Sequence, residues 1–516
     1  MTAIRGGSVP SKGGQRRDFN GAKFDRLTSS WMTINLAIDM ELRGQLDALR
    51  ARSRDLFKNN EYAARFGHMI RDNVVGADGF TFTARSMDPN GKQDAGANKA
   101  IEAAFYRWMQ AQHCDVRGKQ SFIGICRSLA LALARDGEYL VRRVRGRGEF
   151  GYQLQVLDVS RLDTKYNQAM TDGSNAIIMG VEVDAFRKPV AYHIFTAPPS
   201  MQGLAPRQRE RIPAAEIIHG FMPLEDEQTR GVPMLHAAMR LLNDLGGYRE
   251  AAVIAARLGA TKMGFFISPD GQSPTGDNSA NKNEFIQQAE PGTFDVLPEG
   301  YDFKEYNPAY PHAQFDAFIK GALRGVAAAV NVSYGSLSGD RGDANFGSQR
   351  VGMLDEREGY MGIQRHLIDE ALFVVFNDWL EQAMVRNKIL LDNGSPLPIA
   401  KIDKFREHQW LGRRWQWIDP LKDMEANIAA INNGLSSPQM VAQQSGHDIE
   451  AILDDLANFR DMVKARDLTL VGLIPTGAPS IDGADTKSTD KPVPEKAGAK
   501  NWPRLATAGD RYYDTE

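Results

Sequence analysis

Three things are scarce in this chain of 516 residues: cysteine, an excess of either charge, and long apolar runs. The two cysteines, Cys114 and Cys126, have no CxxC partner, which argues against a disulfide framework and a zinc site. No apolar stretch reaches the ~20 residues that span a bilayer, and residues 1–21 are basic and glycine-rich without an apolar signal core. These absences predict a soluble, cytoplasmic chain in a reducing setting.

The balance of charge limits the class of partner. Lys and Arg number 62 against 65 Asp and Glu, which gives a formal net charge of -3. Tight binding of nucleic acid comes from neutralising phosphates, so a tight binder would show a basic excess. The composition argues against such a binder but leaves room for a passage through which DNA slides.

The length of the chain also exceeds what one ordinary hydrophobic core needs, which predicts two or more domains plus tails.

Catalytic and metal-binding patterns are missing as well. The chain has no HExxH pair, no GxxxxGK[ST] phosphate loop and no GxSxG elbow. Its nine histidines stand singly, without the spacing of metal ligands. Acidic pairs such as Asp369 and Glu370 fall on predicted helices rich in Arg and Lys, where intrahelical ion pairs explain them. We therefore expect no catalytic residue, no cofactor and no metal site, and we expect the chain not to be an enzyme.

One glycine pattern keeps an enzyme class open. Gly146, Gly148 and Gly151 match the GxGxxG dinucleotide fingerprint letter for letter. That fingerprint runs from a strand into a helix, whereas both flanking stretches here, 138–145 and 151–157, alternate as strands. The pattern therefore predicts a hairpin turn. A nucleotide-binding, DNA-processing enzyme that uses this turn and the nearby arginines stays as an alternative.

Periodicity predicts an α+β arrangement in the first half of the chain. Apolar residues recur at helical spacing over about 40–70, 97–111 and 121–134. The period then changes to two, which predicts strands at 138–145, 151–157, 177–183, 189–195 and 216–221. Polar connectors rich in Pro and Arg separate the later strands. We therefore expect a mainly antiparallel sheet.

The second half is organised around two helices joined by a polar segment. An apolar stripe with spacings of three and four runs from Phe315 to Val330 and predicts the first helix. Residues 333–347 hold four glycines and cannot continue a helix, so the chain is expected to bend there. The second helix, about 348–388, would be ~60 Å long if unbroken. Such a length is typical of elements that span between domains or subunits.

An acidic segment precedes these helices. A helix is predicted from 233 to a glycine C-cap at Gly259. Residues 260–311 then carry three lysines against eight acidic residues, a net charge of -5, in predicted short strands and turns. They would form the tip of a helical stalk. An acidic tip would suit a basic partner, although an ordinary solvated loop cluster explains it equally well.

Several stretches, in their order along the chain, carry a resemblance to a known family. They include Asp72-Asn-Val-Val-Gly76, Val156-Leu-Asp158, Arg230-Gly-Val-Pro-Met234 and Trp417-Ile-Asp-Pro-Leu-Lys422, together with 52–66, 180–184, 189–193 and 212–219. Their succession over about 45–470 resembles the portal proteins of lambda-like tailed bacteriophages. No single stretch is diagnostic of that family.

The resemblance implies an α+β portal protein fold with wing, stem, clip and helical crown, in a subunit of a cyclic ring. The implied parts are a wing domain at 27–232, a stem helix at 233–259, a clip subdomain at 260–311, a stem helix at 312–332, a tunnel loop at 333–347, a long wing helix and return at 348–419 and a helical crown at 420–470. Composition, and not the resemblance, predicts a disordered basic arm at 1–26 and a disordered tail at 471–516.

The implied function is a channel at one capsid vertex, built as a ring of typically twelve copies. Double-stranded DNA would be packaged through it by the terminase motor and later ejected. The implied partners are further copies of the chain, the DNA, the terminase large subunit, major capsid and scaffold proteins, and head-completion or adaptor proteins, with no membrane. The chain would be assembled in the host cytoplasm and belong to the virion. A capsid or scaffold subunit, which would form shells instead of closed rings, stays as a second alternative.

The resemblance also implies two sets of site residues. The tunnel-loop residues expected at the DNA channel are Ser336, Leu337, Ser338, Asp340, Arg341, Asp343 and Asn345. The clip residues expected to dock the motor and the adaptor are Asp295, Glu299 and Asp302. A nearly neutral lining suits the channel, because a lining that neutralised many phosphates would hold DNA instead of letting it slide.

Overall fold

A computed structural model describes residues 26, 34–171, 173–198, 208–260, 264–267, 302–305, 314–340, 342, 346–415, 420–446 and 449–466. The predicted basic arm, apart from residue 26, and the predicted tail lie outside the described residues, as does most of the predicted clip.

Fifteen α-helices occur in the described residues. They are α1 Ile38–Leu42, α2 Leu46–Asn59, α3 Glu61–Ile70, α4 Ala95–Trp108, α5 Ala111–Cys114, α6 Phe122–Asp136, α7 Met239–Ala260, α8 Phe315–Ala329, α9 Tyr334–Ser338, α10 Phe346–Leu367, α11 Phe373–Val385, α12 Ile402–Phe405, α13 Pro420–Asn432, α14 Pro438–Gln444 and α15 Ile449–Ala465. Two π-helical turns, Arg71–Val75 and Ile368–Leu372, continue α3 and join α10 to α11.

Eleven strands occur in the same residues. They are β1 Thr81–Ala84, β2 Glu138–Arg145, β3 Tyr152–Leu157, β4 Ala176–Ile178, β5 Val181–Val183, β6 Pro189–Phe195, β7 Arg209–Pro213, β8 Ile217–Phe221, β9 Gly264–Ile267, β10 Asp302–Glu305 and β11 His408–Leu411. They form sheets in the orders β3-β2-β8, β4-β5-β6-β7, β1-β11 and β10-β9. Each pair of neighbouring strands is antiparallel, as the sequence predicts.

The predicted strand 177–183 is two strands joined by a tight turn. Met179 and Gly180 both have positive φ, 46° and 86°, so the chain reverses between β4 and β5. A Cβ on Gly180 would lie 2.7 Å from the Asp163 carbonyl oxygen, which leaves room only for glycine. The single-strand prediction was therefore wrong, because the apolar residues on both sides of the turn keep the alternation unbroken.

The main core draws on both halves of the chain. Phe82 and Phe105 contact each other and also contact Phe376 and Trp410. Strand β1 pairs with β11, so the segment that follows the long helix completes the α+β part of the chain before α7, which we call the first domain. Trp410 is buried in this core.

Two predicted helices differ in detail from the observed ones. The predicted helix 348–388 is present as α10 and α11, but a π-helical turn at Ile368–Leu372 interrupts the regular hydrogen bonding. Helix α7 continues through Gly259 to Ala260, so the predicted C-cap at Gly259 was wrong. A glycine inside a helix costs ~1 kcal/mol relative to alanine but need not end it.

The chain divides into two compact units, 1–449 and 450–516. In the described residues the second unit consists of helix α15 after its first residue. Helices α13 and α14 belong to the first unit. The boundary therefore falls inside the segment that was predicted as a single crown.

Candidate DNA-channel segment and its supporting contacts

The segment between α8 and α10 begins with a short helix. Helix α8 ends as expected, because Asn331 takes a positive φ of 53° just beyond it. Ser333 then caps α9, since its hydroxyl accepts a hydrogen bond from the Ser336 backbone N–H at 3.2 Å. Gly339, with a φ of 77°, ends α9. The predicted bend is present, and a serine cap starts a new helix within it.

Four of the seven predicted channel residues are described: Ser336, Leu337, Ser338 and Asp340. Ser336, Ser338 and Asp340 are partly exposed and could face a ligand. Leu337 is only 1% exposed and packs in the main core of the single chain, and its role at the channel stays a prediction. Arg341, Asp343 and Asn345 lie outside the described residues.

Asp340 is the charged centre of the described segment. Its carboxylate accepts hydrogen bonds from the Gly342 backbone N–H and the Tyr334 hydroxyl, both at 3.0 Å. The Lys320 ammonium lies 3.6 Å away. The Gly342 hydrogen bond, followed by that of Tyr334, lowers the pKa of Asp340, which keeps this carboxyl ionised. A fixed negative charge therefore lies directly before Arg341.

Contacts on two sides hold α9 in place. The Arg65 side chain of α3 donates to the Ser336 carbonyl oxygen at 2.5 Å. On the other side, the Ser333 backbone N–H donates to the buried carboxylate of Glu356 in α10 at 2.7 Å. The Tyr360 hydroxyl donates to the same carboxylate at 3.5 Å. The segment is thus anchored up to residue 340.

Helix α3 also contacts the helix predicted as the first stem arm. Arg249 of α7 forms an ion pair with Glu61 and lies over the ring of Tyr62, 5.6 Å from its centroid. One helix of the first domain therefore touches both α7 and α9.

A buried carboxylate connects the first domain to the segment that precedes α7. Glu138, the first residue of β2, is completely buried. It accepts hydrogen bonds from Arg50 at 2.5 Å, Arg230 at 2.6 Å, the Gly231 backbone N–H at 2.9 Å and, with the ring nitrogen as donor, His219 at 3.0 Å. Burial alone would raise the pKa of Glu138, but the guanidinium groups, Arg230 foremost, hold it well below its usual range.

Two glycines allow the backbones to approach at this junction. Gly137 has a φ of 82°, and a Cβ there would lie 2.2 Å from the Val232 carbonyl carbon. A Cβ on Gly231 would lie 2.2 Å from the Gly137 carbonyl oxygen. The end of α6 and the segment 230–233 therefore fit only with glycine at both positions. We call Glu138, Arg50, Arg230, Gly137 and Gly231 the junction.

Sequence reasoning did not assign any role to the junction. Glu138 was predicted only as the first residue of a strand, and Gly137 as the residue before it. Arg230 and Gly231 entered only as part of a stretch that carries the family resemblance. One signal was present: an acidic residue opens a strand that continues with the apolar Tyr139, Leu140 and Val141. A charge in a buried strand requires a buried partner.

The glycine turn at 146–151 is the hairpin that the sequence predicted. Strands β2 and β3 pair antiparallel on either side of it. Arg386 donates to the carbonyl oxygens of Gly146 and Gly148, each at 2.6 Å. Phosphate binding needs backbone N–H groups directed at the anion, whereas this turn directs carbonyl oxygens at a cation. This geometry argues against a dinucleotide site.

The clip is described only in part. Its strands β9 and β10 form an antiparallel ribbon in which Asp302 lies opposite Ile267, in agreement with the predicted short strands. Asp295 and Glu299 lie outside the described residues. The docking role of the three acidic residues stays a prediction.

Within the ranges given above, no three His, Cys, Asp or Glu side chains are grouped so as to hold a metal ion. Among the helices that the structure describes, none is both long and apolar enough to cross a membrane.

Comparison with known proteins assigns the family. Residues 24–364 match the family described as phage portal protein, lambda family. A probable portal protein of Halomonas phage phiHAP-1 is 32% identical over 452 residues, which covers 86% of each chain. Portal protein B of Escherichia phage lambda is 23% identical over 471 residues, covering 84% of this chain and 87% of the relative. The chain belongs to the lambda family of phage portal proteins, which are virion components at the connection of head and tail.

Similar solved structures come from phage-like particles. The neck of an empty gene transfer agent (GTA) particle, computed with C6 symmetry, contains a chain that matches with a TM-score of 0.41 and 13% identity. The neck of a native GTA particle, computed with C12 symmetry, matches with a TM-score of 0.39 and the same identity. Each match covers 78% of this chain and 93% of the other.

Proposed function

We propose that this chain forms the ring-shaped channel at one capsid vertex through which double-stranded DNA is packaged and later ejected. Membership of the lambda portal family is the observation that carries this proposal. The ring, typically of twelve copies, would dock the terminase large subunit during packaging and head-completion or adaptor proteins afterwards. Major capsid and scaffold proteins would contact it at the vertex, after assembly in the host cytoplasm.

The described contacts support a channel role for the segment after α9. Residues 333–340 are held by Arg65, Glu356 and the buried Leu337. Residues 341–345 connect this anchored part to α10 and carry Arg341 between Asp340 and Asp343. Acidic neighbours moderate the attraction of the arginine for phosphates, which suits DNA that has to slide.

The chain itself would not hydrolyse ATP in this scheme. The energy for packaging would come from the motor that docks at the clip. The nucleotide-binding alternative depended on the turn at Gly146–Gly151, and Arg386 lies against the carbonyl oxygens of that turn. One variant compared with the parent checks the point: Gly148→Trp should change folding stability, while ATP and NAD binding should be absent in both variant and parent.

Negative-stain electron microscopy of the purified full-length protein, combined with native mass measurement, tests the proposal. Closed rings with a central hole at least ~20 Å wide, enough for a B-DNA duplex, are the expected result. Closed shells would instead favour the capsid or scaffold alternative. A monomer that stays monomeric at high concentration with scaffold protein added would contradict the ring.

A further inference from the structure

Helix α13 exposes an apolar stripe. Leu421, Met424 and Ile428 are 68%, 49% and 51% exposed, and their spacing of three and four places them on one side of the helix. Against the described part of the chain, α13 buries none of its own residues. Isolated helices of this length are marginal in water, and most helical stability in proteins comes from packing. This helix therefore needs a partner surface.

The first turns of α10 expose a second apolar stripe. Val351 and Leu354, three residues apart, are 60% and 45% exposed. Arg350 of α10 pairs with Asp423 of α13 at 3.0 Å, so the two helices meet at this ion pair. Both helices carry exposed apolar side chains. We call Val351, Leu354, Leu421, Met424 and Ile428 the apolar layer.

The charges at the rim of the layer differ between the two helices. Asp355 and Glu358 are exposed beside the α10 stripe. Lys422 and Glu425 are exposed beside the α13 stripe. Lys422 can therefore approach Asp355 or Glu358 when the α13 stripe of one copy meets the α10 stripe of another. Opposite charges across an interface fix its register.

We propose that the apolar layer is a contact between neighbouring copies of this chain, with the α13 stripe of one copy against the α10 stripe of the next. This inference rests on the proposed ring. The contact is heterologous, so each copy uses both stripes and a closed ring leaves neither uncovered. Five side chains cover less than a free pair of proteins needs, which suits one part of a longer contact between ring neighbours.

Engineered cysteines test the contact directly. Both native cysteines are buried, and burial raises the pKa of the Cys114 thiol to about 12, so they give little background. A mixture of the Val351→Cys and Met424→Cys single variants should oxidise into cross-linked pairs, which shows that the bond forms between chains. Cross-linked pairs from either single variant alone would indicate an isologous contact and overturn the proposal.

Charge exchange provides a second test. Lys422→Glu and Glu358→Lys should each raise the protein concentration needed for half-assembly, by roughly threefold to tenfold. The double variant should recover the parent value, because each copy then offers the exchanged charge to the next. An additive loss in the double variant would overturn the pairing.

Removal of the stripe separates the two proposals. Met424→Asp with Ile428→Asp should reduce rings at least about tenfold. The matched variant Ala429→Asp, exposed on the same helix outside the stripe, should assemble normally. Normal rings from the stripe variant would overturn this contact and assign the layer to another protein. Absence of rings from the parent chain would instead contradict the proposed function.

Discussion

At the scale of single residues, the junction buries a charged carboxylate, which is costly in free energy unless it is paired. Removing a carboxylate from water costs several kcal/mol, and Glu138 is completely buried. Arg50, Arg230, His219 and the Gly231 backbone N–H surround it. Burial lowers the pKa of Arg50 to about 10, and Glu138 opposes this effect. The buried charges therefore stabilise the fold only when all of these partners are present.

Glu138→Gln should therefore be strongly destabilising. The change leaves two buried guanidinium groups without a counter-charge, and breaking a buried pair in this way costs ~3–5 kcal/mol. Urea unfolding at pH 7 measures the loss. Glu216→Gln, which removes the partly exposed partner of Arg142, is the control and should cost less than about 1 kcal/mol. Equal losses in the two variants would contradict the buried-charge account.

The same substitution predicts a pH effect. The pKa of Glu138 is lowered in the folded chain, so its contribution is complete above the ordinary glutamate pKa of about 4.3 and is lost as pH falls towards the folded-state pKa. The stability difference between parent and Glu138→Gln should therefore narrow below about pH 4. Unfolding midpoints between pH 7 and pH 3 check this, and a constant difference would argue against ionised Glu138.

Gly137→Ala should lower folding stability by more than the positive φ of this residue explains. Gly91 has a similar positive φ, 76°, but a Cβ there would meet nothing within 4 Å, whereas at Gly137 it would lie 2.2 Å from Val232. Gly91→Ala should cost about 1 kcal/mol for its conformation alone. Gly137→Ala should cost about 1–3 kcal/mol more, because the backbones must separate. Thermal unfolding of both variants gives the comparison.

At the scale of elements, two helical glycines should respond in opposite ways to alanine. A Cβ on Gly321 in α8 would meet nothing within 4 Å, so Gly321→Ala should stabilise the isolated chain by about 0.5–1 kcal/mol. A Cβ on Gly67 in α3 would lie 2.7 Å from the Phe57 ring, so Gly67→Ala should destabilise it. Chemical unfolding of the monomer measures both, and the same sign for both would be inconsistent with these surroundings.

The anchored helix α9 sets the bounds of a loop replacement that tests the channel segment. Replacing 341–345 by a Gly-Ser link leaves the contacts of Arg65, Glu356 and Leu337 intact, so rings should form normally. DNA packaging or retention should fall, because Arg341 and its acidic neighbours are removed. Leu337→Ala is the control that should lower chain stability instead, by about 2–5 kcal/mol. Normal head filling by the replaced chain would remove these residues from the channel.

Local patterns predicted the longer elements and missed the short ones. Strands β2 and β6 have the bounds predicted from their alternation, 138–145 and 189–195. Strands β1 and β11 were not predicted, because each has four residues and its partner lies more than 300 residues away. The turn at Met179 and Gly180 was missed because apolar residues continue on both sides of it. Among the site residues, Leu337 is buried by the packing of α9 against α3 and α8, which sequence spacing cannot show.

At the scale of the whole molecule, the acidic clip is the part most open to a binding test. Reversing the charge of Asp295, Glu299 and Asp302 together should weaken docking of the terminase motor, because the predicted surface would change from acidic to basic. Reversing Glu225, Asp226 and Glu227, three exposed acidic residues of the first domain, is the matched control and should not. Pull-down of the motor at two salt concentrations measures both. Unchanged binding by the clip variant would mean that the acidic clip does not dock the motor.

The pairing of β1 with β11 has a consequence for synthesis. Thr81 must wait for Leu411 before its strand is paired, and Phe82 and Phe105 must wait for Trp410. At ~5–20 residues per second, a nascent chain holds this apolar surface open for some tens of seconds. A translation product that stops short of residue 411 cannot close its core. Incomplete subunits would thus be left to the chaperones and proteases of the host before they could enter a particle.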